Sequence, residues 1–102
     1  MQFVAHALDK PGALARRQEA LAAHRAYLDQ VGDRAGVTVL LSGPLVSDDG
    51  ETMCGSFFLI DAPDRATVEA IFAADPLASA DVWQKLTITA VAIRQNQMGG
   101  GA

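Results

Sequence analysis

The chain has 102 residues, half of them hydrophobic and a fifth charged, with a formal net charge of −4. That length builds one compact core and no second one, and the eight basic residues form no cluster that would face a phosphate backbone. No stretch approaches the roughly 18 apolar residues of a membrane span, and the N-terminus has no basic segment followed by an apolar one; a soluble, cytoplasmic protein is expected, with neither nucleic acid nor membrane as partner.

Residues 2–8 are apolar and free of glycine and proline, which predicts a buried strand, and Asp9-Lys10-Pro11-Gly12 supplies turn chemistry after it. A long helix is expected from Ala13 to about Val31, with Gly32 at the place of a C-cap glycine. Residues 35–46 are β-branched and aliphatic, and Ser42-Gly43-Pro44 marks a bend or a sheet edge among them. SDDGET at 47–52 predicts a hairpin turn whose second strand runs from Met53 to Ile60. Asp64 offers the N-cap of a short helix from about Arg65 to Ala74, Asp75-Pro76 stops it, and a last strand runs from about Val82 to Arg94. Residues 1–96 thus read as a single domain and QMGGGA, 97–102, as a flexible tail. The order β-α-β-β-α-β predicts an α+β protein of ferredoxin-like fold, a four-stranded antiparallel sheet with two helices on one face.

A sheet with one wet face alternates apolar and polar side chains, and these strands do not. Met53, Gly55, Phe57 and Leu59 oppose Cys54, Ser56, Phe58 and Ile60; in the last strand Val82, Leu86 and Ile88 oppose Trp83, Val91 and Ile93. Two apolar faces with helices for only one predict a homodimer, sheet against sheet. A bulge that switches faces midway along the last strand is the alternative. The single cysteine, Cys54, has no disulfide partner and reads as a small buried hydrophobe, so neither a metal site nor a disulfide is expected.

At about 100° per residue, Leu14, Leu21, Leu28 and Val31 share one stripe of the first helix, and Arg17 and His24 complete its pattern. Seven residues apart, these two project one above the other with about 20° of drift. Inward polar groups need partners, because burying either alone costs several kcal/mol. Asp9, Asp29, Asp33, Asp48, Asp49 and Asp64 fall in turns or on the solvent face of the helix, where hydration is the default. Asp75 ends the second helix on the same side of the sheet, beside Pro76, and is the carboxylate expected to meet His24.

That stripe, SGPL at 42–45, Gly55 in the following strand and ADPLASADVW at 74–83 occur in an order that resembles the YciI-like (YCII-related) family over most of the chain. The resemblance implies a dimeric α+β barrel of ferredoxin-like subunits. It also implies that His24 and Asp75 correspond to the pair regarded as the family's active site. Some members of the family act on small cyclic compounds, among them a dehydrochlorinase of chlorinated aromatic breakdown, many have no known substrate, and muconolactone isomerase-like enzymes share the wider fold. This chain departs from the pattern after Asp75. Leu77 stands where an aromatic residue is common, and Ala80-Asp81 where Ala-Gly is common, which changes backbone freedom and charge at the expected pocket mouth.

A histidine oriented by a carboxylate is a general acid/base, suited to proton abstraction beside a carbonyl, elimination, isomerisation or lactone chemistry. Arg17 is then expected to anchor a substrate carboxylate or enolate. Ser79 or the backbone of Gly43, next to Pro44, is expected to donate to a developing oxyanion. Ser42 reads as a turn residue and His6 as structural or solvent-facing. The function expected is a small-molecule enzyme without metal or cofactor. The alternatives are a His-Asp-Arg network that only ties helices to sheet, or a dimeric metabolite-binding or stress-related module that converts nothing.

Overall fold

The computed structural model describes residues 1–98, and its elements run β1 (Gln2–Asp9), α1 (Leu14–Val31), β2 (Thr38–Val46), β3 (Met53–Asp61), α2 (Arg65–Ala73), α3 (Pro76–Ser79) and β4 (Trp83–Val91). The single sheet has the order β2-β3-β1-β4 with every neighbouring pair antiparallel. Each strand-helix-strand half therefore joins two mutually parallel strands around a third, which puts the helices on one face. This is the ferredoxin-like α+β arrangement. The one-turn α3 is an addition to the expected elements.

Alternation along the strands decides what is inside. Phe3, Ala5 and Ala7 of β1 and Phe58 and Ile60 of β3 point toward the helices, where Val68, Ile71 and Phe72 of α2 meet them, all at most 2% exposed. Asp64 caps α2 by accepting from the Thr67 amide at 2.8 Å and its hydroxyl at 2.7 Å. Asp75 does the same for α3, accepting from the Leu77 amide at 2.8 Å. The Tyr27 hydroxyl of α1 donates to the Ile71 carbonyl at 2.5 Å and so fastens α1 to α2. Among the described residues no helix is long and apolar enough to cross a membrane.

Several expectations are corrected. Gly32 does follow α1, but in right-handed geometry (φ −64°); the left-handed turn that redirects the chain is made at Gly36 (φ +76°), against Pro63. Leu14 is 38% exposed, and the buried line of α1 runs Arg17, His24, Val31 at heptad spacing. The last strand ends at Val91, leaving Ile93 and Arg94 in irregular chain. Within it the register slips, so that Leu8 faces Lys85 while Asp9 faces Trp83. The extra residue, Gln84, turns Trp83 inward onto the same face as Leu86 and Ile88 rather than opposite them. A second slip between Leu45 and Val46 skips Cys54, which is half-buried instead of buried. Of the tail assigned to 97–102, Gln97 and Met98 are exposed, and 99–102 lie outside the described residues.

The bulge accounts for only part of the apolar excess. Val4, Leu41, Leu45, Phe57 and Leu59 alternate with the inward set and are half-buried on the helix-free face, and Leu8 there is 61% exposed.

Candidate active site

The alternation that sends Phe3, Ala5 and Ala7 inward also sends Asp9 inward, at the end of β1 beneath α1. There it meets Arg17, one turn into the helix. Arg17 Nε donates to Asp9 Oδ2 at 2.6 Å and Nη2 to Oδ1 at 2.8 Å, a two-point pairing with both side chains under 10% exposed. The expectation that Asp9 is a hydrated turn residue is therefore corrected: it is the carboxylate that makes burial of Arg17 tolerable. The residue's even-numbered spacing from Phe3 was the signal in the sequence.

Ser56, 1% exposed on β3, joins this pair. Its Oγ accepts from Arg17 Nη2 at 2.6 Å and from Trp83 Nε1 at 3.0 Å. Neither Ser56 nor Trp83 was picked out from the sequence as a site residue. For Ser56 the signal was its place in the inward series with Phe58 and Ile60; for Trp83 the bulge concealed it.

One heptad along α1, His24 meets Asp75. The Nδ1 atom lies 2.8 Å from Oδ1 and 2.9 Å from Oδ2, with Asp75 fully buried. Oδ1 also accepts the Leu77 amide, so the helix that follows Pro76 holds the carboxylate in place. A carboxylate only accepts, so Nδ1 carries the proton of this bond, and Nε2 is the ring nitrogen that faces away from Asp75. The rings of Phe58 and Trp83 pack edgewise on the imidazole, with centroids 6.0 and 6.5 Å away. His24 and Arg17 thus belong to two separate pairs, and the single His-Asp-Arg network considered from sequence is not what forms.

One member of each pair, Arg17 and His24, borders a single cavity of about 230 Å³ between α1 and the β2–β3 edge, with Asp9 and Asp75 behind them. Arg17, Leu21, His24, Arg25 and Leu28 line it from the helix, and Ser42, Gly43, Pro44, Met53 and Ser56 from the strands. Ser42, read as a turn residue, is on the wall. Pro44 is tolerated because β2 is an edge strand. Ser79 is not on this wall; its hydroxyl turns back 3.5 Å from the Asp75 carbonyl oxygen. Arg25 stands at the rim, exposed and without an ion-pair partner among the described residues. No group of three or more His, Cys, Asp or Glu residues is placed to hold a metal ion among the described residues.

Asp81 also lies away from the cavity. It adopts φ +60°, the left-handed region that favours glycine, which explains why glycine suits this position. Its carboxylate pairs with Lys10, and its carbonyl oxygen accepts from Arg16 Nη2 at 3.0 Å. Lys10, by hydrogen bond and by charge, holds the Asp81 carboxyl below its ordinary range. The expected change of charge at the pocket mouth is corrected accordingly: the charge is spent on pinning the β4 entry to the β1–α1 turn.

No curated protein matches the sequence. Among solved structures, the 5-chloro-2-hydroxyhydroquinone dehydrochlorinase of Burkholderia phenoliruptrix, in complex with 2,5-dihydroxybenzoquinone, superposes with a TM-score of 0.78 at 26% identity, covering 90% of this chain and 94% of that one. SnoaB, a cofactor-independent oxygenase from Streptomyces nogalater, shares the fold at a TM-score of 0.56 and 17% identity, with 94% of each chain covered. Residues 1–92 match the YCII-related domain, and the chain belongs to that family.

Proposed function

We propose that this chain is a small-molecule acid/base enzyme in which His24 carries the proton and Asp75 orients it. The observation that supports the reading is the grip of the Asp75 carboxylate on His24 Nδ1, at 2.8 and 2.9 Å, with the imidazole on the wall of a cavity. In an elimination, Nε2 takes a proton from a C–H or O–H beside a carbonyl. The electron pair of that bond moves into the adjacent bond, and the leaving group departs with its own pair. In an isomerisation the imidazolium returns the proton to a neighbouring carbon. Asp75 balances the imidazolium charge in both.

Arg17 is already matched by Asp9, and its Nη1 has no protein partner among the described residues. It is therefore suited to polarising a carbonyl or enolate oxygen rather than neutralising a free carboxylate. The cationic rim at Arg25 favours an anionic ligand. A cavity of about 150 Å³ holds a benzene ring, so this one suits a single small ring. The similar Burkholderia enzyme makes hydroxyquinones the first class to test, ahead of lactones.

The test is turnover of 5-chloro-2-hydroxyhydroquinone and of small lactones by the unmodified chain and by His24→Gln. A loss of about 100-fold or more in kcat with an unchanged melting temperature is expected. A variant that retains turnover, or that unfolds, favours a second reading, in which the pair is structural within a binding module. The packing of Phe58 and Trp83 on His24 and the capping of α3 by Asp75 are the contacts that support that reading. For assembly, the proposal is a homodimer formed through the apolar, helix-free face of the sheet.

A further inference from the structure

A serine hydroxyl has one hydrogen to donate and two positions at which to accept. At Ser56 both accepting positions are filled, by Arg17 Nη2 at 2.6 Å and Trp83 Nε1 at 3.0 Å. Neither neighbour can reciprocate, since guanidinium and indole N–H groups only donate. The Ser56 proton is thus forced away from both, and no protein acceptor receives it among the described residues. With the side chain otherwise enclosed at 1% exposure, the direction left to it is the cavity it lines.

We infer that the Ser56 hydroxyl is the hydrogen-bond donor that binds a ligand oxygen in this cavity and so selects ligands that present an acceptor there. The inference rests on the acid/base reading for its ligand class and on the hydrogen-bond inventory for the residue. Two donors on one oxygen, one of them cationic, draw electron density from it and strengthen the bond that its proton donates. Toward Ser56, Arg17 Nη2 and Trp83 Nε1 act by positioning: they hold the hydroxyl so that its proton has one place to go, while Arg17 Nη1, unpartnered among the described residues, stays free for the ligand. The ligand oxygen that meets it is a carbonyl, enolate or phenolate. An analogue lacking that oxygen leaves the donor buried and unpaired, which is the costly case for a binding site. Ser79, with its hydroxyl turned to the Asp75 carbonyl, is not in this position.

Two measurements test it. In a neutron structure of the ligand-free chain, the deuteron on Ser56 Oγ is expected to point into the cavity; a deuteron directed at a protein acceptor, the Asp9 carboxylate included, overturns the assignment. In binding, Ser56→Ala is expected to weaken 2,5-dihydroxybenzoquinone about tenfold while benzene, which has the ring and no oxygen, binds both proteins alike. Unchanged affinity for the quinone, or equal losses for both probes, overturns it. The neutron arm needs no variant, so it decides even where alanine, by stripping a partner from Arg17 and Trp83, prevents folding. Failure of the acid/base reading shows separately, as turnover retained by His24→Gln while the Ser56 results stand.

Discussion

At the scale of single residues, the two buried pairs make different demands on the protein. In Asp75→Asn the shape is kept, but the amide no longer enforces the tautomer with Nδ1–H, and an imidazole in the wrong tautomer presents a donor instead of a base to the cavity. The expected outcome is a fall in kcat of about 10²- to 10⁴-fold with KM little changed, read from steady-state kinetics. Asp9→Ala strikes stability instead. It strands the Arg17 guanidinium in a site where Arg17 is 1% exposed, and losing one partner of a buried pair costs about 3–5 kcal/mol. Urea denaturation is expected to show that loss. The double variant Asp9→Leu with Arg17→Met, which removes both charges together, should recover most of it.

At the scale of elements, backbone geometry dictates which residues are tolerated where strands and turns crowd. Gly55 is fixed by its neighbours: a Cβ there would lie 2.4 Å from the Ala7 carbonyl oxygen and 2.8 Å from Leu45 Cδ1, so β3 sits between β1 and β2 only without a side chain. Gly55→Ala is therefore expected to destabilise by about 1–3 kcal/mol in chemical denaturation, the cost of overpacking where backbone must move. Asp81 poses the reverse question. Asp81→Gly should be more stable than Asp81→Ala, because only glycine accepts φ +60° freely once the contact with Lys10 is gone. The pairing with Lys10 keeps the folded pKa of Asp81 depressed, so its stabilisation is present above the unfolded value of about 3.9 and fades as pH falls through the folded one. Melting curves between pH 7 and pH 2 should accordingly fall less steeply for Asp81→Gly. These elements also show what the sequence could disclose. Periodicity carried the order of strands and helices, and the heptad from Arg17 to His24 carried the inward polar line. The bulge at Gln84 broke the period-two rule and hid Trp83, because one extra residue reverses every face beyond it. Asp9 was hidden by turn chemistry: Pro11 and Gly12 next to it suggested a loop, although its place in the series Phe3, Ala5, Ala7 pointed it into the core.

At the scale of the whole molecule, the sheet divides two kinds of surface. Its helix-covered face holds the core and borders the cavity; the other carries Val4, Leu41, Leu45, Phe57 and Leu59 half-buried, and Leu41 and Leu59 run on into a groove where Leu40, Ile93 and Met98 alternate with the amides of Gln2, Gln95, Asn96 and Gln97. A two-fold interface through that face places every substitution in it twice, so one charge at its centre becomes two like charges brought together in a dry layer. Leu59→Lys is therefore expected to convert a dimer at micromolar concentration into a monomer in sedimentation velocity, with the same far-ultraviolet spectrum as the unmodified chain. Monomeric sedimentation of the unmodified chain would remove the proposed dimer. The cavity lies between α1 and the β2–β3 edge, and its ionisable residues, Arg17, His24 and Arg25, all belong to the helix layer, across the sheet from Leu59. The monomeric variant should consequently keep 2,5-dihydroxybenzoquinone affinity within about threefold of the parent, a shift of less than 1 kcal/mol. A larger loss would show that the two faces of the sheet are coupled, and that the apolar face contributes to the site as well as to assembly.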